Sequence, residues 1–253
     1  KALAHRAAYL PAQHSRYMAL LRKVNPCLLM VGAGCYGGDF ASLIVAARRM
    51  RITTAEYQHG AISAGHDAYN FSATVCNSAS YRETLPEYFL GYGPWWLQQI
   101  NAPVKKIAIG NPGRPDLQFC GTLTGESRAR LLILSDGMEF SIYLELASKI
   151  RAVVKKMGLD VAIRPHPIER SKVDSMSPDE KFGIPIDSNP DIYRSFATSF
   201  GVISEVSTGL FEAIGVVKHI YVWKTKKTEF CYPRHPFEEF SSISELVAIV
   251  ETS

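Results

Sequence analysis

Disulfide frameworks, metal knuckles and membrane spans each leave marks that this sequence lacks. Its five cysteines (Cys27, Cys35, Cys76, Cys120 and Cys231) lie far apart, and no two form a CxxC pair. An odd count without metal-like spacing reads as the reduced thiols of a cytoplasmic protein, with no structural metal. No apolar run approaches the roughly 18 residues needed to cross a bilayer, and no signal-peptide pattern is present, so a soluble or peripheral protein is expected. Charge of one sign is scarce as well. Twenty-eight Lys plus Arg stand against 24 Asp plus Glu, and the net +4 favours anionic ligands without the basic excess of a nucleic-acid binder. The excess gathers at 218–227, KHIYVWKTKK, where basic residues alternate with aromatics and could face a membrane surface, a polyanion or solvent.

What the chain does have is 253 residues with 47% hydrophobic content, enough for one large domain or two smaller ones. Two are expected. Helices are predicted over 15–24, 39–50, 94–100, 141–157, 191–200, 208–215 and 242–250, and strands over 27–32, 51–56, 72–76, 131–134, 160–164, 201–204 and 220–223. This alternation is the mark of an α/β protein, and no internal repeat is visible. It is interrupted by GNPGRPDLQFCGTLTGE, 110–126, whose glycines and prolines read as a linker between a first domain at 1–115 and a second at 127–253. The first domain holds few elements and opens abruptly on a helix, so its beginning is expected to be missing.

Gly32, Gly34 and Gly37 in VGAGCYGGD form a GxGxxG between a strand and a helix, and Glu56 lies about twenty residues on. On paper this is a dinucleotide fingerprint. Two features count against it. A helix precedes the strand that carries it, and Asp39 is placed to cap the following helix, where it would occupy the amides and add a negative charge where a pyrophosphate would sit. The expectation is a close-packed glycine turn that binds no nicotinamide or flavin cofactor.

In an open parallel sheet, ligands sit beyond the carboxyl ends of the strands, so loops that follow strands carry the functional weight. Three stand out. In Arg164-Pro165-His166-Pro167 the two prolines hold the backbone extended, and Arg164 and His166 would suit a phosphate oxygen. Ser207-Thr208-Gly209 starts a helix. Either hydroxyl can cap it, the free amides there attract anions, and Glu212 one turn on could accept ribose hydroxyls. Ser135-Asp136-Gly137 ends the first strand of the second half, where Gly137 would admit a close backbone approach. Each has an ordinary structural explanation too: a stiff surface turn, a helix cap, a solvated carboxylate. Together they describe a nucleotide monophosphate or diphosphate pocket without metal ligands.

The order AARRMRITTAEYQHG, GNPGRPD, LLILSDG, AIRPHP, ISEVSTGLFEA resembles the GT-B glycosyltransferases of bacterial capsule and surface-polysaccharide assembly, a group that is also similar to polysialyltransferases and CDP-glycerol glycerophosphotransferases. The resemblance spans roughly residues 20 to 250, and the order of its short motifs is more specific than any one of them. It implies two Rossmann-like domains facing a cleft, with an N-terminal acceptor side and a C-terminal nucleotide-sugar side. By the same likeness His166-Pro167 and Ser207-Thr208 hold donor phosphate. The acceptor would be a saccharide or lipid-linked glycan, at the inner face of the cell membrane. One departure matters: sialyltransferase-like members draw their base from an acidic-acidic-Gly motif in the first domain. The nearest triplet here, Ser135-Asp136-Gly137, lacks one acid and lies in the second.

The base is therefore sought at His59, Glu56, His66 and Asp67, in and after TAEYQHG. His59 has the best case. An imidazole with an ordinary pKa near ~6.5 suits proton abstraction from a sugar hydroxyl, and Gly60 leaves room beside it. The alternative is that Gln58 and His59 tie the loop together or touch the donor. A metal-independent glycosyltransferase is the leading expectation. A glycerophosphotransferase, a sugar-nucleotide epimerase and a non-catalytic binding module remain beside it, and turnover of labelled donor separates enzyme from module.

Overall fold

The computed structural model describes residues 2–114 and 129–252. Most of the stretch read as a linker, and Cys120 with it, lies outside the described residues. The chain divides into two compact units, Lys1–Pro112 and Gly113–Ser253. Among the described residues no helix is long and apolar enough to cross a membrane.

The first unit opens with helix α1 (Ala2–Val24) and continues through strand β1 (Leu28–Val31), a 3-10 turn (Gly34–Tyr36), α2 (Gly38–Arg49) and β2 (Thr53–Tyr57). It closes with α3 (Ala73–Asn77), α4 (Ala79–Thr84), β3 (Tyr88–Gly91), α5 (Pro94–Leu97) and β4 (Lys105–Ala108). The strands form a parallel sheet in the order β1-β2-β3-β4. Leu21 of α1 packs on Ala46 and Ala47 of α2, small residues that let the two helices approach. The strand predicted at 72–76 is instead α3, because Ser72 caps it by accepting the Val75 N–H. Asp39 is not the cap of α2. Gly37, with φ +76, takes the cap position and sets Asp39 in the first turn.

In the second unit, β5 (Arg130–Leu134) leads to α6 (Phe140–Val154), β6 (Asp160–Arg164), α7 (Arg170–Ser175) and α8 (Ile192–Ala197). Then come β7 (Gly201–Ser204), α9 (Thr208–Glu212), β8 (His219–Trp223), α10 (Lys226–Cys231), β9 (Glu238–Phe240) and α11 (Ile243–Glu251). All pairings are parallel, in the order β6-β5-β7-β8-β9. Leu131 to Leu134 are buried without alternation, as a strand covered on both faces requires. On one face α6 lays down Phe140, Tyr143, Leu144, Ala147, Ile150 and Val154 at helical spacing, and these join Leu131, Ile133, Val161 and Ile163 in the core. The chain leaves β5 outward to β6 and then crosses back to β7. With right-handed crossovers that reversal sends connections to opposite faces and opens a crevice at the carboxyl ends of β5 and β7.

Candidate functional site

At this reversal the loops after β5, β6 and β7 enclose a cavity of about 300 Å³. Arg164, His166, Ser207, Thr208, Gly209 and Glu212 all line it, so six of the residues singled out in the sequence are brought together.

His166 is held by its backbone and displayed by its ring. Its N–H donates to Ser135 Oγ at 2.8 Å and to Glu169 Oε2 at 3.2 Å. The Ser135 hydroxyl in turn donates to the same Glu169 oxygen at 2.5 Å, which ties the end of β5 to the loop after β6. Glu169 is buried, and the sequence reading missed it. The Ile168 N–H points at His166 Nδ1, 3.4 Å away, which places the proton of a neutral ring on Nε2 and leaves Nε2–H as a donor. The ring lies over Gly137, whose φ is +85. A β-carbon there would sit 2.7 Å from His166 Nδ1. Gly137 thus makes room for the histidine and does not itself line the cavity.

Arg164 is buried, and its Nη1 meets Asp187 Oδ2 at 2.9 Å, the Asn189 carbonyl at 2.8 Å and Ser195 Oγ at 3.1 Å. Its charge is already neutralised by Asp187. Ser207 caps α9 by accepting the Gly209 N–H at 3.2 Å, and its own hydroxyl proton remains to be donated. Glu212 receives the Tyr193 hydroxyl at 3.3 Å. Asp136 turns away: its carboxylate pairs with Lys227 and accepts the Met138 N–H at 3.1 Å. Lys227 also meets Glu205 Oε2 at 3.3 Å. Burial pulls the pKa of Lys227 down, but the two carboxylates together outweigh it and leave the ammonium above its ordinary value.

The remaining predicted residues belong to the first unit. Glu56, at the end of β2, is fully buried, with Oε2 accepting the Cys35 N–H at 2.7 Å and Oε1 the Tyr69 hydroxyl at 2.7 Å. Burial first and the Glu56 charge second push the Cys35 thiol and the Tyr69 phenol upward. A β-carbon on Gly34 would stand 2.8 Å from Val31 Cγ2 and 3.2 Å from Glu56 Oε2, so this glycine of the GxGxxG is used for packing. His59 is exposed just beyond β2, with its ring 5.7 Å from that of Tyr36 and neither nitrogen in a hydrogen bond among the described residues. The Tyr36 hydroxyl lies 3.0 Å from His66 Nε2, and His66 is held below the ordinary histidine range by burial and then by His59. Asp67 is exposed. Among the described residues no three His, Cys, Asp or Glu side chains are grouped to hold a metal.

No protein family matches the sequence. No curated protein matches it. Solved structures do match the fold. A glycosyltransferase from Rickettsia africae superposes with a TM-score of 0.57 at 13% identity, over 96% of this chain and 70% of the other. The UDP-GlcNAc 2-epimerase of Methanocaldococcus jannaschii, solved with UDP-GlcNAc and UDP, gives 0.52 at 11% over 96% and 73%. MurG of Acinetobacter baumannii gives 0.52 at 9% over 94% and 68%. The fold is accordingly of the GT-B kind, two α/β units each built on a parallel sheet.

Proposed function

We propose that the chain is a nucleotide-sugar-dependent glycosyltransferase that transfers a sugar, without a metal, from an activated donor to a surface-polysaccharide or lipid-linked acceptor at the inner face of the cell membrane. The observation that carries this reading is the convergence of the loops after β5, β6 and β7 on one cavity lined by His166, Ser207, Thr208 and Glu212. These supply what a nucleotide needs. His166 Nε2–H and the Ser207 and Thr208 hydroxyls donate to phosphate oxygens, and the Glu212 carboxylate accepts ribose hydroxyls.

In the reaction, an acceptor hydroxyl attacks the anomeric carbon and the bond from that carbon to the phosphate oxygen breaks. The same donors stabilise the charge that develops on the departing phosphate. The acceptor proton passes to His59, neither of whose nitrogens is hydrogen-bonded among the described residues. Glu56 acts at one remove: by gripping the Cys35 amide and Tyr69 it fixes the turn that places Tyr36 beside His59. Asp67, exposed in the following loop, is the alternative base.

Calorimetric titration with CMP-, CDP-, UDP-, GDP- and dTDP-linked sugars, followed by transfer of label from whichever binds, tests the proposal. Saturable binding that weakens in His166→Ala supports it, and no binding by any of the five ends it. Full transfer in the presence of chelator is expected. A 2-epimerase is the second reading, favoured by the superposition of the M. jannaschii enzyme, solved with its UDP-sugar, at the same TM-score as MurG. Conversion of UDP-GlcNAc to its 2-epimer without any acceptor would establish that reading instead.

A further inference from the structure

Two arginines line the cavity, and among the described residues one is ion-paired and the other is not. Arg164 is buried against Asp187, Asn189 and Ser195. Arg170, the first residue of α7, is half-buried on the same wall and makes no hydrogen bond or ion pair among the described residues. The neighbouring carboxylate does not claim it, since Glu169 Oε2 is engaged by the Ser135 hydroxyl and the His166 amide. With Arg164 neutralised by Asp187, the charges left on the lining are Arg170 and Glu212, and Glu212 already receives the Tyr193 hydroxyl. The Ser207 and Thr208 hydroxyls orient an anion but bring no positive charge.

We propose that Arg170 is the cation of this pocket and binds the phosphate of the nucleotide, a role the sequence pattern pointed to Arg164 to fill. The assignment rests on the nucleotide reading above. A guanidinium offers two parallel N–H donors to a phosphate, and one without a carboxylate partner need break no ion pair to do so. Its contribution is charge-dependent, so it should vanish for an uncharged nucleoside and shrink with added salt.

Calorimetry on the intact chain separates these possibilities, with UDP, CDP, GDP, uridine, cytidine and inorganic pyrophosphate as probes. Arg170→Gln is expected to weaken the diphosphate that binds by about tenfold or more and to leave the matching nucleoside within about twofold, at unchanged Tm. Arg170→Lys should recover part of the loss, because it keeps the charge and loses the fork. A diphosphate affinity within twofold of wild type in Arg170→Gln would overturn the assignment. So would a loss shared equally by nucleoside and nucleotide, which would mark a structural role. If pyrophosphate binds in an Arg170-dependent way and no nucleotide does, the nucleotide reading falls while the anion site stands. Binding of neither by the wild type overturns both.

Discussion

A histidine serves as a phosphate ligand when one ring nitrogen is committed and the other is free, and His166 has that arrangement through Ile168 N–H on Nδ1. Removing the ring deletes one charge-assisted donor, so His166→Ala is expected to weaken nucleotide binding by about 1 to 3 kcal/mol in calorimetry. Gly137 reaches the same ring indirectly. With φ at +85 and the imidazole where a β-carbon would go, Gly137→Ala should both strain the backbone and displace His166. It is expected to weaken nucleotide binding as His166→Ala does and to lower Tm besides, two effects read in one titration and one melting curve. His59 should behave in the opposite way: His59→Ala leaves nucleotide affinity within about twofold and lowers single-turnover transfer by roughly 10² to 10⁴. Loss of nucleotide binding in a folded His59→Ala protein would make that histidine a donor ligand and shift the search for the base to Asp67.

Strand β6 and the loop after it place a buried, ion-paired residue and a cavity-lining candidate ligand within three positions. Arg164 holds the extended loop at Asp187 and Asn189 to the strand, while His166 stands out beyond it. Arg164→Met leaves the Asp187 carboxylate buried and unpaired, a change that costs about 3 to 5 kcal/mol at comparable sites, and adding Asp187→Leu should recover most of it. Urea unfolding of the single and double variants measures both. The sequence could show that an arginine precedes His166 but not that a carboxylate partner lies 23 residues on. Glu169 was missed for the same reason, its partner Ser135 lying 34 residues away, and nothing local marks Arg170 as unpaired among the described residues. By contrast β5, β6, β7 and β8 were legible because buried parallel strands are unbroken apolar runs, and His166 was legible because prolines flank it. The strands that escaped notice, β3, β4 and β9, are three or four residues long, and the last two carry charges at exposed positions.

At the scale of the whole molecule, stability should depend on pH in two separate windows, and the histidines set the upper one. His66 in the first unit and His219 in the second are both held below the ordinary histidine value, with burial the leading cause and the neighbouring His59 or Lys218 the next. His219 stacks on Phe200 at 4.6 Å, and its Nε2 is buried without a hydrogen-bond partner among the described residues, so protonation there puts an unpaired charge inside the fold. A group whose folded pKa is depressed binds fewer protons in the native state than in the unfolded one wherever pH lies between the two values. The stability it contributes is therefore complete above the unfolded value near ~6.5 and declines as pH falls below it. Glu87 and Glu239, lowered first by their hydrogen bonds to Lys105 and Lys224, act only below the ordinary carboxylate value of 4.5. Both pairs are largely exposed and weigh little. Melting curves at half-unit steps from pH 8 to pH 4 should then show a flat region, a decline beginning near 6.5, and a smaller further loss below 4.5. Replacing His219 with Phe keeps the stack on Phe200 and removes the titrating group, so the first decline should become shallower while Tm above pH 7 stays level or rises. A first decline of the same size in His219→Phe would assign that window to other groups, His66 first among them.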